Sequence, residues 1–325
     1  MTTQKRPRGI PCRYKFLIVL TLTYLNVYAT TTIERGFFFK ENKRISSIPF
    51  QVIDNLIVID LELNDRKKVK AVFDTGIRSI MLFGSKYKKH LDYSYTREIP
   101  INGLGTDKRP TGNLTIDNSL DIGDIRGEGV AIVHVSHSLP FDILHQAGVE
   151  AVIGYQLFTS FVVEIDYNKQ EVVFHDPKTY YNWNSSYSFP IEIIDTKPYI
   201  TTSIKLGDQE NVVENVKLLM DTGASVDMII YGSSEKSKFF EHNSRKQQLI
   251  GFGLNGDIRG DEKACQLQLG PIDLGMNVVS IINPKSDDMI SRRFGVDGLI
   301  GSKVLRNYVV TFDYIHRMVY LKSNS

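Results

Sequence analysis

The sequence predicts an all-β protein built from two homologous halves, with a few short helices. Three observations carry that prediction. Blocks of sequence recur in a fixed register, the apolar segments are short and rich in β-branched and aromatic residues, and neither a long amphipathic helix nor a βαβ alternation is present. The repeat begins where Ile48-Pro49-Phe50-Gln51-Val52-Ile53-Asp54 resembles Phe189-Pro190-Ile191-Glu192-Ile193-Ile194-Asp195, at an offset of 141. A longer loop in the second copy then moves the offset to 147. At 147, residues 69–76 fall on 216–223, Leu120 and Gly123 on Leu267 and Gly270, Ile153-Gly154 on Ile300-Gly301, and Asp166-Tyr167 on Asp313-Tyr314. Four blocks in one register identify a duplicated chain.

Composition agrees with a folded globular protein: 42% of the 325 residues are hydrophobic and 23% charged. The net charge of +2 gives no electrostatic reason to expect nucleic acid. With two cysteines, Cys12 and Cys265, no disulfide framework holds the fold. In chain order, residues 1–29 read as a secretory signal. A basic start (Lys5, Arg6, Arg8, Arg13, Lys15) precedes an apolar run over 16–25, and Val27-Tyr28-Ala29 offers a small-x-small cleavage site. The run is short for a bilayer, which needs about 20 apolar residues. Removal leaves 34 bases against 37 acids, a net of −3, and takes Cys12 with it. Residues 30–47 form a short N-terminal segment. The first half occupies 48–178, a polar and aromatic linker 179–188, and the second half 189–325. Within the halves, 56–63, 162–167 and 309–314 read as strands. Residues 166–169 read as a hairpin turn, and short helices follow Gly154 and Gly301.

Each half runs an apolar strand straight into Asp-Thr-Gly: Val72-Phe73-Asp74-Thr75-Gly76 and Leu219-Met220-Asp221-Thr222-Gly223. A carboxylate at the end of a buried strand is costly and needs a reason. Glycine permits a tight turn and close backbone approach, and threonine brings a hydroxyl that satisfies a neighbouring backbone group. One such tripeptide would be an ordinary strand-to-turn junction. Two at equivalent places in a duplicated chain predict loops that meet on a pseudo-two-fold axis. There the two carboxyls cannot both ionise easily and share one proton.

With these motifs the chain resembles the pepsin-like aspartic proteases. The family pattern is apolar-apolar-Asp-Thr-Gly followed later in each lobe by apolar-apolar-Gly, here Val152-Ile153-Gly154 and Leu299-Ile300-Gly301. The closing stretch 299–313 matches the family's last segment closely, and the resemblance covers both halves. It implies two lobes of the pepsin-like fold related by a pseudo-two-fold axis, with Asp74 and Asp221 as catalytic dyad. Thr75 and Thr222 would cross-brace the active-site loops, and Gly76 and Gly223 would let backbone amides approach the carboxyls. It implies neither metal nor cofactor, a peptide or protein substrate, no nucleic-acid partner, no membrane contact after signal cleavage, and a monomer. The protein would be exported, to the periplasm or the extracellular space. In lacking disulfides the chain is similar to the compact bacterial and retroviral relatives.

Two departures qualify the resemblance. The second motif continues Ala224-Ser225, as in many relatives, whereas the first continues Ile77-Arg78. Ile77 cannot hydrogen-bond to Asp74, and Arg78 is read as facing solvent. These residues motivate an alternative, a pepsin-like module that binds peptide or protein without turnover. The hairpin over the cleft is expected from 99–112, from 251–256, or from both, and no flap residue is assigned because the usual Tyr is missing. His134-Val135-Ser136-His137 reads as an ordinary strand and loop pair, and Asp166 and Asp313 as structural residues before hairpin turns. Residues 86–90 read as a solvated basic face, and Asn113 and Asn184 fit a glycosylation pattern.

Overall fold

A computed structural model describes residues 35–65, 67–94, 96–101, 104, 110–182, 185–207, 212–240, 245–254, 256–282 and 294–323. The signal reading for 1–29, Asn184 and most of the loop 102–109 lie outside the described residues. The protein is mostly β-sheet with short helices. Its first half contains β1 (Gly36–Phe39), β2 (Ile45–Pro49), β3 (Gln51–Ile53), β4 (Leu56–Leu63), β5 (Lys67–Phe73), β6 (Ile80–Phe83) and β7 (Arg97–Pro100). It continues with β8 (Thr111–Ile122), β9 (Ile125–Val135), helix α1 (Asp142–Gln146), β10 (Val149–Ile153), helix α2 (Tyr155–Ser160), β11 (Val162–Asp166) and β12 (Glu171–His175). The second half contains β13 (Tyr187–Ile194), β14 (Lys197–Leu206), β15 (Val212–Met220), β16 (Met228–Tyr231), β17 (Arg245–Gly253), β18 (Gly256–Leu269) and β19 (Ile272–Ile282). It closes with β20 (Gly298–Ile300), helix α3 (Ser302–Leu305), β21 (Tyr308–Asp313) and β22 (Met318–Ser323).

The duplication is visible in the pairing. In the first half β5 runs parallel to β10, β10 antiparallel to β6, and β6 parallel to β9. In the second half β15 runs parallel to β20, β20 antiparallel to β16, and β16 parallel to β19. The strand that delivers each Asp-Thr-Gly is therefore flanked by the strand that ends in apolar-apolar-Gly. Buried on both faces, these strands are apolar without alternation at their ends: Ala71, Val72 and Phe73, and Leu218, Leu219 and Met220. The turns Asp54-Asn55 and Asp195-Thr196, which open β4 and β14, hold both residues at positive φ, as a two-residue hairpin requires.

A six-stranded antiparallel run, β2-β12-β11-β21-β22-β13, joins the two halves. At its centre Val163 pairs with Phe312, Glu164 with Thr311 and Ile165 with Val310. Under the 147-residue offset the first and last of these pairs exchange, and the middle pair maps onto itself. The local two-fold relation thus passes between Glu164 and Thr311. Residues 30–47, read from sequence as a segment preceding the first half, supply β1 and the start of β2, which pair with β9 and β12. Beneath the run, Phe73 stacks on Phe158, and Phe158 on Tyr314, in one continuous core.

Candidate active site

Asp74 and Asp221 leave their strands in the same way. The Asp74 N–H donates to the Ile153 carbonyl at 2.9 Å, and the Asp221 N–H donates to the Ile300 carbonyl at 2.9 Å. Each carboxyl then accepts from the glycine two residues on, Gly76 N–H at 2.6 Å and Gly223 N–H at 2.9 Å. The loops also cross. A Cβ on Gly76 would stand 2.8 Å from both carboxyl oxygens of Asp221, and a Cβ on Gly223 would overlap the carboxyl of Asp74. Each glycine is therefore required by the other half's aspartate.

Thr75 and Thr222, both fully buried, tie the loops together. The Thr75 N–H donates to Thr222 Oγ1 at 3.0 Å, and the Thr222 N–H donates to Thr75 Oγ1 at 3.0 Å. Thr75 Oγ1 in turn donates to the Met220 carbonyl at 2.6 Å, and Thr222 Oγ1 to the Phe73 carbonyl at 2.9 Å. Each hydroxyl accepts once and donates once across the two halves, fixing the loops that carry the carboxyls.

Each carboxyl packs against the glycine of the other loop and is partly shielded from solvent. Burial pushes the Asp74 carboxyl well above the usual carboxylate range, and the charge of Asp221 pushes it further, against the Gly76 N–H and the cation of Lys197. Burial also raises Asp221, opposed by the Gly223 N–H, by Lys197 and by the hydrogen bond with Asp74. The protons belong to the pair, and one proton held between the carboxyls is the arrangement that avoids two buried charges.

Both carboxyls line a cavity of about 690 Å³. Leu104, between β7 and β8, lines it together with Ile250, Gly251, Gly253, Leu254 and Ile258 of the β17–β18 hairpin. Leu104 packs against the apolar cluster of the second half, with Tyr199, Leu219 and Ile229. Leu254 packs against the cluster of the first half, with Leu56, Val72 and Ile77. A Cβ on Gly253 would meet the Leu104 side chain at 3.1 Å, so the two segments touch. Leu104 and Leu254 thus both line the cavity, each packed against the opposite half. The signal in the sequence was a leucine set between glycines, Gly103-Leu104-Gly105 and Gly253-Leu254-Asn255-Gly256.

Ile77 is buried in the cavity wall. Arg78 is 70% exposed and forms an ion pair with Asp195 at 3.1 Å. Ser225, the equivalent of Arg78, is held by the neighbour of Asp54: Asn55 Nδ2 donates to Ser225 Oγ at 3.0 Å. Lys197, which no motif marks in the sequence, lines the cavity with both aspartates. Outside the site, Asp166 accepts from the Asn168 and Lys169 N–H groups and Asp313 from the His316 N–H, each at a hairpin turn. His134 is buried against Tyr93 and the Gly84 carbonyl. The basic cluster at 86–90 differs from a solvated face in one respect: Tyr87 is fully buried and bonds to Glu150, which also pairs with Lys86. Cys265 is buried and free.

Among the described residues, no group of three His, Cys, Asp or Glu side chains is placed to hold a metal ion, and no helix is long and apolar enough to cross a membrane. No protein-family model matches the chain, and no curated protein matches it.

Proposed function

We propose that the protein is an aspartic endopeptidase of the two-lobed, pepsin-like kind, with Asp74 and Asp221 as its dyad. One observation carries the reading. Two aspartates from equivalent loops, each seated on the other loop's glycine, line one cavity of about 690 Å³ with largely apolar walls. The ionised member of such a pair takes a proton from a water between them. That water attacks the scissile carbonyl, and the protonated member donates to the carbonyl oxygen. Collapse of the tetrahedral species returns a proton to the leaving amine, with no acyl-enzyme. Two carboxyls this close cannot both ionise easily, so one of them holds the proton this chemistry needs. An extended peptide in the cavity would be held by backbone hydrogen bonds and by side chains seated in the apolar walls.

The lobes correspond to 48–178 and 189–325, with β1 and β2 completing their sheets. One chain supplies both carboxyls, which supports a monomer, and export follows from the reading of residues 1–29. Hydrolysis of a denatured protein across about pH 3 to 7 tests the assignment. Cleavage that is lost in both Asp74→Asn and Asp221→Asn, and blocked by a hydroxyl-bearing peptide that mimics the tetrahedral species, supports it. Peptide binding without cleavage at any pH replaces it with the non-enzymatic module.

A further inference from the structure

The two walls of the cavity are not equivalent. The turn that opens β4 is followed by Leu56, and the matching turn that opens β14 is followed by Lys197, at the 141-residue offset of that part of the repeat. Both residues line the cavity. The first half contributes an apolar patch, Leu56, Val72, Ile77, Leu144 and Val152, beside the exposed Asp54 and Asp142. In the second half the same position carries an ammonium group. We propose that Lys197 is a specificity-determining residue, which selects substrates bearing a carboxylate beside the scissile bond on the side facing the second half.

Four observations support this. Lys197 is half-buried, and beyond its backbone pairing with Ile194 its ammonium group makes no hydrogen bond or ion pair with any described residue. A lysine drawn partly out of water loses hydration that a carboxylate would restore. The acids around it are otherwise engaged or set apart. Asp195, two residues before it, is held by Arg78, while Asp54 is exposed on the other half's turn and Asp142 stands at the start of α1. The dyad senses the lysine, since its charge lowers the proton affinity of both Asp74 and Asp221, but each carboxyl takes its hydrogen bond from a glycine N–H. Lys303, a second cation on the lining, is exposed. Lys197 therefore stands near the reacting centre, on one wall, with an unfilled donor set. An apolar residue against the Leu56 wall and an acidic one against the Lys197 wall would fit this cavity.

The inference rests on the endopeptidase reading, and the experiment separates the two. Full-length protein is incubated with a peptide set in which one apolar core carries Glu or Gln at each of the three positions on either side of the scissile bond. The products are quantified by mass spectrometry as relative kcat/KM. A parallel pair of peptides with a free or an amidated C-terminus distinguishes an acidic side chain from a chain terminus. At one position, Glu is expected to exceed Gln by about 10- to 100-fold, the worth of a charge-assisted hydrogen bond. Lys197→Met should collapse that ratio to near one, and Lys197→Glu should invert it in favour of a Lys peptide. Thermal unfolding of each variant confirms that the fold is retained. Cleavage with equal rates for Glu and Gln at every position, or a ratio unchanged in Lys197→Met, overturns the specificity proposal and leaves the endopeptidase standing. Dependence on the free terminus alone overturns the side-chain form of it. No cleavage of any peptide by the wild-type protein overturns both.

Discussion

Replacing Thr75 by valine keeps the outline of the side chain and removes one hydroxyl. That hydroxyl accepts from the Thr222 N–H and donates to the Met220 carbonyl, in a site sealed from solvent. The variant leaves a buried donor without its acceptor and a buried carbonyl without its hydroxyl partner. At about 1–3 kcal/mol for each buried group so deprived, the cost is about 2–6 kcal/mol. Against a typical stability of about 5–15 kcal/mol this is a large fraction. The duplication makes a second prediction. Thr222→Val removes the acceptor of the Thr75 N–H and the donor to the Phe73 carbonyl, and should cost the same amount. Thr75→Ser keeps the hydroxyl and loses a methyl group, at about 1 kcal/mol. Urea unfolding followed by circular dichroism gives the three values on one scale. Thr75→Val within about 1 kcal/mol of Thr75→Ser would refute the reasoning, because the cross-brace would then carry no weight.

The remaining predictions concern the carboxyls and their surroundings. Gly223→Ala places a methyl group on the Asp74 carboxyl, and the displacement should lower kcat by about 100-fold or more, while circular dichroism shows the sheet content retained. Because burial raises the folded-state pKa of Asp74, its contribution to stability is full below the ordinary carboxylate range and is lost as pH rises through the elevated value. Unfolding measured from acid to neutral pH should show this loss in the wild type and a shallower slope in Asp74→Asn. Arg78→Ala removes an exposed ion pair and should change stability by less than about 1 kcal/mol, with the pH–rate profile unmoved. Lys197→Met removes a cation that favours the ionised carboxyls, so both limbs of its pH–rate profile should move to higher pH.

Much of the fold could be read from the sequence, because it depends on local pattern repeated twice. The apolar runs into Asp74 and Asp221, the hairpin turn after Asp166 and the helices after Gly154 and Gly301 are each signalled by neighbouring residues. What escaped depends on which segments meet. Gly36-Phe37-Phe38-Phe39 has no motif, and its role as a strand comes from its partner β9. Lys197 follows a turn and reads as an ordinary solvated lysine, and only the approach of the other half turns that position into a cavity wall. Arg78 could be read as outward-facing, but its partner Asp195 lies 117 residues away and belongs to the second copy of the turn. Tyr87 sits among lysines, and its burial is set by the Glu150 strand beneath it.

Whether the two carboxyls behave as one unit is open to direct titration. Carbon-13 NMR of the protein labelled at the aspartate side-chain carbons, with the Asp74 and Asp221 signals assigned from the Asn variants, follows each group as pH is varied. Signals that move together in two separated steps, the upper one well above the usual carboxylate range, are what a shared proton requires. Independent titration of both groups at ordinary carboxylate values would contradict it.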